Sequence, residues 1–369
     1  MTAIRVGQAG LGEWGKNLAR NFAELAELVW LTDPAEGKRE EFTSRYPQAR
    51  WASSFDELLA DPELDAVVVA TPVPTHYELA KQALEAGKHV FVEKPLAWNL
   101  REAREVAERA RRSDRIVQLA YHKLYDPAFR YTKSHLEQMS DLAFARITVL
   151  HPDNQLGLSP YRIRRGGGAV DEGHIDPGTL EGQRTAQLRG VAAGNMEALV
   201  DEVLGERKGD ERLRLAYGII VQSLIHQIYM LYGFLGEPTR VVSTDVWRGG
   251  FSIHSVVEYP NDLRVTLDWH YLMNLKDYRE EYAFFGNRER VTMQLPSPYF
   301  KNFPSPVIIQ GGEDELAWEK RVTVSYEEAF RLELMAFYEN VREHRKPFTS
   351  VDDALRHTAF AQQLIEAAR

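Results

Sequence analysis

Two groups of residues in this 369-residue chain have types and spacings suited to chemistry. The first is Gly10-Leu11-Gly12-Glu13-Trp14-Gly15, just after a predicted strand from Ile4 to Gly7. Glycines let a backbone approach a phosphate closely, and a helix that starts there turns its unpaired N–H groups toward the anion. A G-x-G-x-x-G pattern between strand and helix therefore predicts a dinucleotide cradle. Asp33, 21 residues beyond Gly12, ends the second predicted strand, where a carboxylate accepts adenosine ribose hydroxyls and repels a 2′-phosphate. That favours NAD over NADP. The plainer reading is that Asp33 only opens the Asp33-Pro34 turn.

The second group is Glu93-Lys94-Pro95, which closes a predicted strand from His89 to Val92. An ammonium at the carboxyl end of a parallel strand sits where ligands bind, and it stabilises the alkoxide that develops as hydride leaves an alcohol. Proline after the lysine restricts the backbone there. The competing reading is a surface lysine before a turn. Thr71-Pro72 ends another strand at the same edge, and His76 either caps the next helix or contacts the cofactor.

The elements that must position these residues follow from patterning. Ile4 to Gly7, Leu28 to Leu31, Ala66 to Ala70, His89 to Val92 and Ile116 to Leu119 read as strands, several of them continuous apolar runs as in a parallel sheet covered on both faces. Amphipathic helices lie between them. Ser54 to Glu57, Thr75 to Glu78 and Asn99 to Glu102 each place a capping side chain three residues before a Glu. The expected fold is α/β, a doubly wound parallel Rossmann sheet over residues 1–122.

Beyond residue 140 the pattern becomes strands without intervening helices, over 143–150, 239–247, 251–259, 263–271, 281–285, 290–295, 307–310 and 315–324. Leu263, Val265, Leu267, Trp269 and Tyr271 alternate with polar residues, which predicts a sheet packed on one face only. Residues 123–369 are therefore expected to form an α+β domain with an open, mainly antiparallel sheet for substrate binding and oligomerisation. Residues 151–216, rich in glycine with Tyr161 as the sole aromatic, read as an insertion, helical from about Gln183 to Leu204. Two C-terminal helices follow, the first capped by Ser325 with Phe330, Leu334, Phe337 and Val341 as its stripe.

Composition narrows the class. With no cysteine, disulfides, thiolate metal sites and cysteine nucleophiles are excluded, and no metal site is expected. A net charge of −9 argues against a nucleic-acid partner. No uninterrupted apolar run approaches the roughly 18 residues a membrane span needs, and no signal peptide is evident, so a cytoplasmic protein without membrane contact is expected.

These residues resemble the Gfo/Idh/MocA family, named for glucose–fructose oxidoreductase and inositol dehydrogenase. Thr71-Pro72-Val73-Pro74-Thr75-His76 is similar to its T-P-x-x-x-H segment, and Glu93-Lys94-Pro95 to its E-K-P signature. Gly12-Glu13-Trp14-Gly15-Lys16-Asn17-Leu18-Ala19-Arg20-Asn21-Phe22 is more similar still to the family's bacterial nucleotide-sugar 3-dehydrogenases. The likeness covers residues 1 to about 130 and resumes in Gly236-Glu237-Pro238 and the last 45 residues. It implies a nicotinamide cofactor, with Gly10, Leu11, Gly12, Glu13, Trp14, Asp33, Thr71, Pro72, His76, Glu93 and Lys94 around it, a usually cis bond before Pro95, and a sugar or nucleotide-sugar substrate. A homodimer or homotetramer is expected.

In that family a D-x-x-x-H pair on a helix before a G-E-P turn orients substrate and supplies the base. Here His226 matches the histidine and Gln222 stands where Asp is expected. On a regular helix the two share one face. A competing run, Gly166-Gly167-Gly168 with Asp171 and His174, has a similar composition, so His226 or His174 is the base and the glycines form a lid. His122 resembles a substrate-facing histidine. The expected activity is hydride transfer between a sugar hydroxyl and NAD, with Lys94 as the electrostatic group. The rivals are a redox-neutral NAD-dependent glycosidase or lyase, and a non-catalytic NAD-binding sugar sensor.

Overall fold

The structure, a computed structural model, describes residues 3–152, 182, 196–275, 277–298, 300 and 303–369. Its residues fall into two compact units. Among the described residues, one holds those up to Tyr121 together with Phe330–Ala359, and the other holds those of 122–329 and Phe360–Arg369.

The first unit is a six-stranded parallel sheet in the order β3-β2-β1-β4-β5-β6. Its strands are β1 (Arg5–Ala9), β2 (Glu27–Thr32), β3 (Arg50–Trp51), β4 (Ala66–Val69), β5 (His89–Val92) and β6 (Val117–Leu119). All four residues of β4 and of β5 are buried, as the continuous apolar runs require for strands covered on both faces. The order reverses between β1 and β4, the crevice where such sheets bind ligands.

Phe330–Ala359 belongs with this unit and not with the domain expected from residue 123 onward. Helix Ala329–Glu343 supplies Leu334, Phe337 and Val341 to a cluster containing Val6, Phe22, Val68 and Phe91. Phe337 meets Phe22 and Phe91 edge-on at 6.1 and 5.5 Å. The apolar stripe was legible, but its destination was not, because a stripe carries no address.

Two caps behave as patterned. The Ser54 Oγ accepts from the Glu57 N–H at 3.1 Å, and the Asn99 side-chain Oδ1 from the Glu102 N–H at 3.0 Å. Thr75 does not cap: it already has helical backbone angles at the end of the turn Val73–Thr75, and its hydroxyl donates back to the Pro72 carbonyl at 2.8 Å. Nor does Ser325, which accepts from the Glu327 N–H in a turn before the helix begins at Ala329.

His89 fastens β5 to its neighbour by accepting the Ile116 N–H at Nδ1, 3.0 Å away. Burial, aided by the charges of Arg115 and His344, pushes its ring down to about 4. The folded state therefore takes up this proton later than the unfolded chain, so the stability is present above about 6.5 and is lost as pH falls toward 4. His89→Gln is expected to remove this acid sensitivity. Between pH 7 and 4 the stability difference between the two proteins should narrow by about 3 kcal/mol in urea titrations. Curves that stay parallel over that range would contradict the assignment.

The second unit carries an eight-stranded sheet in the order β14-β13-β12-β11-β7-β10-β9-β8. Its strands are β7 (Leu142–His151), β8 (Arg240–Trp247), β9 (Ser252–Glu258), β10 (Arg264–Tyr271), β11 (Arg279–Gly286), β12 (Glu289–Leu295), β13 (Pro306–Glu313) and β14 (Leu316–Thr323). Only β7 and β10 pair parallel; every other neighbour is antiparallel. Val265, Leu267 and Trp269 are buried while their polar neighbours are half-buried, as the alternation requires.

A long helical run, Glu211–Ile219, Ile220–Leu224 and Ile225–Leu235, packs on this sheet, with Phe234 against Tyr282 and Phe284 at 5.7 and 5.0 Å. It is the one helix among the described residues long and apolar enough to cross a membrane, and most of it is buried inside the protein. Of the expected helix from Gln183 to Leu204, Met196–Leu204 is helical. The triple glycine, Asp171 and His174 lie outside the described residues.

Candidate cofactor and active site

The three glycines of the first loop do different things. Gly10 has φ +92°, and a Cβ there would lie 2.3 Å from the Ala70 carbonyl oxygen. Gly15 lies under Gly10, so a Cβ on it would stand 2.2 Å from the Gly10 carbonyl oxygen. Gly12 has nothing within 4 Å of such an atom. It is the N-cap of helix Glu13–Leu25 and offers no side chain to the first N–H groups, which suits an incoming anion. Buried Gln8 braces the turn, donating to the Gly10 and Gly15 carbonyls at 2.9 and 2.7 Å.

Within the same loop Leu11 is a core residue, fully buried. Trp14 stacks on Phe330 at 5.5 Å. Glu13 begins the helix.

Asp33 is tied to this loop. Its Oδ2 accepts from the Leu11 N–H at 2.7 Å, and its Oδ1 from the Ala35 N–H at 2.9 Å, the turn-forming contact. Lys38 Nζ also donates to Oδ2 at 2.8 Å, with the Asp33 carboxylate nearly buried. Asp33 thus links the ends of β1 and β2 and already carries a counter-ion. Sequence reading missed Lys38, although a lysine five residues after the aspartate is the available signal.

At the far side of the crevice, the Lys94–Pro95 bond is cis, as the resemblance implied. His76 is buried, with its two ring nitrogens 2.8 Å from the Pro95 and Thr71 carbonyls. It braces the turn carrying Lys94 against the Thr71-Pro72 segment. Burial lowers its pKa, which the two carbonyls partly oppose and the Lys94 charge reinforces. The Thr71 and Thr75 hydroxyls meet at 2.6 Å.

Glu93 is pushed up to about 7 by burial, against the pull of the adjacent Lys94 charge. Glu333, fully buried on helix Ala329–Glu343, is held well above the usual carboxylate range by burial and by the Glu93 charge, with the Tyr121 N–H opposing. Nothing in the apolar stripe marked it, because a carboxyl one residue before Leu334 looks solvent-facing in a sequence.

The second unit gathers its own polar groups. His122 opens the turn His122–Tyr125, and His226 lies in the first turn of helix Ile225–Leu235. Their rings are 5.5 Å apart and nearly perpendicular, and His226 Nδ1 is 2.7 Å from the Tyr229 hydroxyl. Gln222 sits in the π-helical turn Ile220–Leu224, its amide 3.4 Å from the Gly218 carbonyl. That wider turn replaces the regular four-residue spacing expected between Gln222 and His226. On the exposed side of the sheet His254 pairs with Asp268 at 2.6 Å.

A parallel sheet in this order, with a glycine turn at its crevice and a lysine at the end of β5, defines a dinucleotide-binding domain. Residues 4–121 match the sequence model of the oxidoreductase family with an NAD-binding Rossmann fold. Over this N-terminal stretch the chain is similar to the Gfo/Idh/MocA oxidoreductases.

Curated relatives extend little beyond that domain. The chain is 33% identical over 137 residues to scyllo-inositol 2-dehydrogenase (NAD(+)) of Bacillus subtilis, covering 36% of this chain and 40% of that protein. It is 30% identical over 133 residues to UDP-N-acetylglucosamine 3-dehydrogenase of Acidithiobacillus ferrooxidans, covering 36% of this chain and 42% of that one. The matched region therefore spans about two fifths of these relatives. Over its full length the chain shares the fold of KijD10, a 3-ketoreductase from Actinomadura kijaniata solved with NADP and TDP-benzene, at a TM-score of 0.71 and 18% identity, covering 100% of this chain and 98% of that one.

Proposed function

We propose that this protein is an NAD(P)-dependent oxidoreductase that moves a hydride between a hydroxyl-bearing carbon of a sugar or nucleotide sugar and a nicotinamide. One observation carries the reading: the glycine turn at Gly10–Gly15 and the Glu93-Lys94-Pro95 segment follow β1 and β5 of one parallel sheet, at the carboxyl edge that holds its β1/β4 switch point. The space at Gly12 and the uncapped helix start fit a pyrophosphate. The cofactor, when bound, supplies the hydride acceptor or donor.

The rest belongs to the chain's own residues. Lys94 stabilises the oxyanion at the reacting carbon, and His76 holds the turn that presents it. His226 moves the hydroxyl proton, held by Tyr229, with His174 as the alternative base. Gln222 and His122 bind sugar hydroxyls. The relatives' substrates, inositols and nucleotide-linked amino sugars, give the classes to screen. Incubation of the protein with such a panel and either nicotinamide should change the cofactor absorbance with at least one polyol or nucleotide sugar; a flat response across the panel would reject the reading.

We favour NAD over NADP because Asp33 presents a carboxylate at the ribose end, and Lys38 reduces that preference by neutralising it. Asp33→Ala is expected to weaken NAD binding and to relax discrimination against NADP. Lys38→Ala, which leaves the Asp33 charge uncompensated, is expected to weaken NADP about tenfold while sparing NAD, a difference of about 1.4 kcal/mol. Dissociation constants for both cofactors decide the matter, and equal effects on the two in both variants would refute it.

A further inference from the structure

His122 and His226 are half-buried, but the residue after each is fastened in the core. Lys123, 6% exposed, donates to both oxygens of Glu280 at 2.8 and 2.6 Å. Gln227, 1% exposed, donates to the same carboxylate at 2.8 Å. Two more donors complete the shell, the Tyr282 hydroxyl at 2.5 Å and the Tyr278 hydroxyl. Glu280 itself is 1% exposed and stands on β11.

One buried carboxylate thus grips the successors of both histidines, which lie on elements about a hundred residues apart in sequence. Burial works to raise the Glu280 carboxyl, but the Lys123 charge and the hydrogen bonds from Lys123, Tyr278 and Tyr282 outweigh it and hold it below the usual carboxylate range. A buried ion pair of this kind contributes little net stability compared with apolar packing, so its more useful consequence is geometric. Resting on the function proposed above, the geometry points to Glu280 as the positioning residue for the His122–His226 pair: through Lys123 and Gln227 it sets where the two imidazoles stand relative to each other. Tyr278, whose ring lies 5.6 Å from that of His151, carries the same anchor to the end of the sheet.

The test is made on the full-length protein without substrate, so that it stands even if no sugar is ever turned over. Histidine ring signals are followed by NMR in wild type and in Glu280→Gln, with His122→Gln and His226→Gln for assignment. The His122 and His226 signals should move in Glu280→Gln, while those of His76, His89 and His357 in the first unit keep their positions and cofactor affinity stays within about twofold. Because Glu280→Gln leaves Lys123 as an unpaired buried cation, Lys123→Met/Glu280→Met, which removes both charges, is measured in parallel and should displace the same two signals. Glu280→Asp should restore them in part. Where turnover is measurable, kcat should fall by about a hundredfold with a smaller change in KM, as for a misplaced acid–base group. Unmoved His122 and His226 signals in either folded variant would overturn the proposal.

Discussion

Lys94→Ala is expected to lower the rate of hydride transfer by roughly 100- to 1,000-fold while leaving cofactor dissociation constants within about threefold. The asymmetry follows from where the ammonium sits. Lys94 follows β5, in a turn beside buried His76, whose ring nitrogens lie 2.8 Å from the Pro95 and Thr71 carbonyls, whereas the Gly10–Gly15 turn that would take up the pyrophosphate follows β1. Its interaction with an alkoxide exists only as hydride leaves, so its loss should appear in kcat and not in ground-state binding. Lys94→Arg keeps the charge but changes its reach and planarity, so it should recover only part of the rate. Single-turnover rates in the alanine variant within tenfold of wild type would show that another group carries the charge.

Gly15→Ala is expected to damage the first unit itself. Its Cβ would stand 2.2 Å from the Gly10 carbonyl oxygen, and the atom in the way is backbone, held by Gln8 and by the turn at φ +92°. Relief requires moving the helix away from the loop, at a cost of about 3 kcal/mol, and cofactor binding should be lost with it. Gly12→Ala is the informative partner, because nothing lies within 4 Å of its added methyl. It should keep wild-type stability and lose affinity only, since the methyl intrudes where a phosphate approaches. Urea titration and cofactor binding on the two variants separate them. Equal stability loss in both, or wild-type affinity in Gly12→Ala, would contradict the division of labour among the glycines.

What could be read in advance depended on whether the signal was local. Strands β4 and β5 announced themselves as continuous apolar runs, and Ser54 and Asn99 as caps, because each is settled by a few neighbouring residues. Thr75 matched the same cap pattern and failed because a preceding turn had already committed its backbone to helical angles. The two-residue β3 was too short to leave a pattern. The π-helical turn at Ile220–Leu224 sits inside an apolar run whose composition is that of an ordinary helix, so the altered spacing between Gln222 and His226 was invisible. Buried charge was the hardest of all. Lys123 and Glu280 are separated by 157 residues, and neither looks unlike a surface residue until the fold brings them together.

In the function proposed above, hydride passes between a sugar carbon and a nicotinamide beside Lys94. The most direct test is isotope transfer: sugars and nucleotide sugars bearing deuterium on their ring carbinol carbons are incubated with the protein and oxidised cofactor, and the reduced nicotinamide is examined by mass spectrometry. Deuterium should appear in the nicotinamide ring with at least one substrate in wild type and be strongly diminished in Lys94→Ala. Tight cofactor binding with no label in the nicotinamide from any member of the panel would contradict the account and identify the domain as a cofactor-binding module without hydride chemistry.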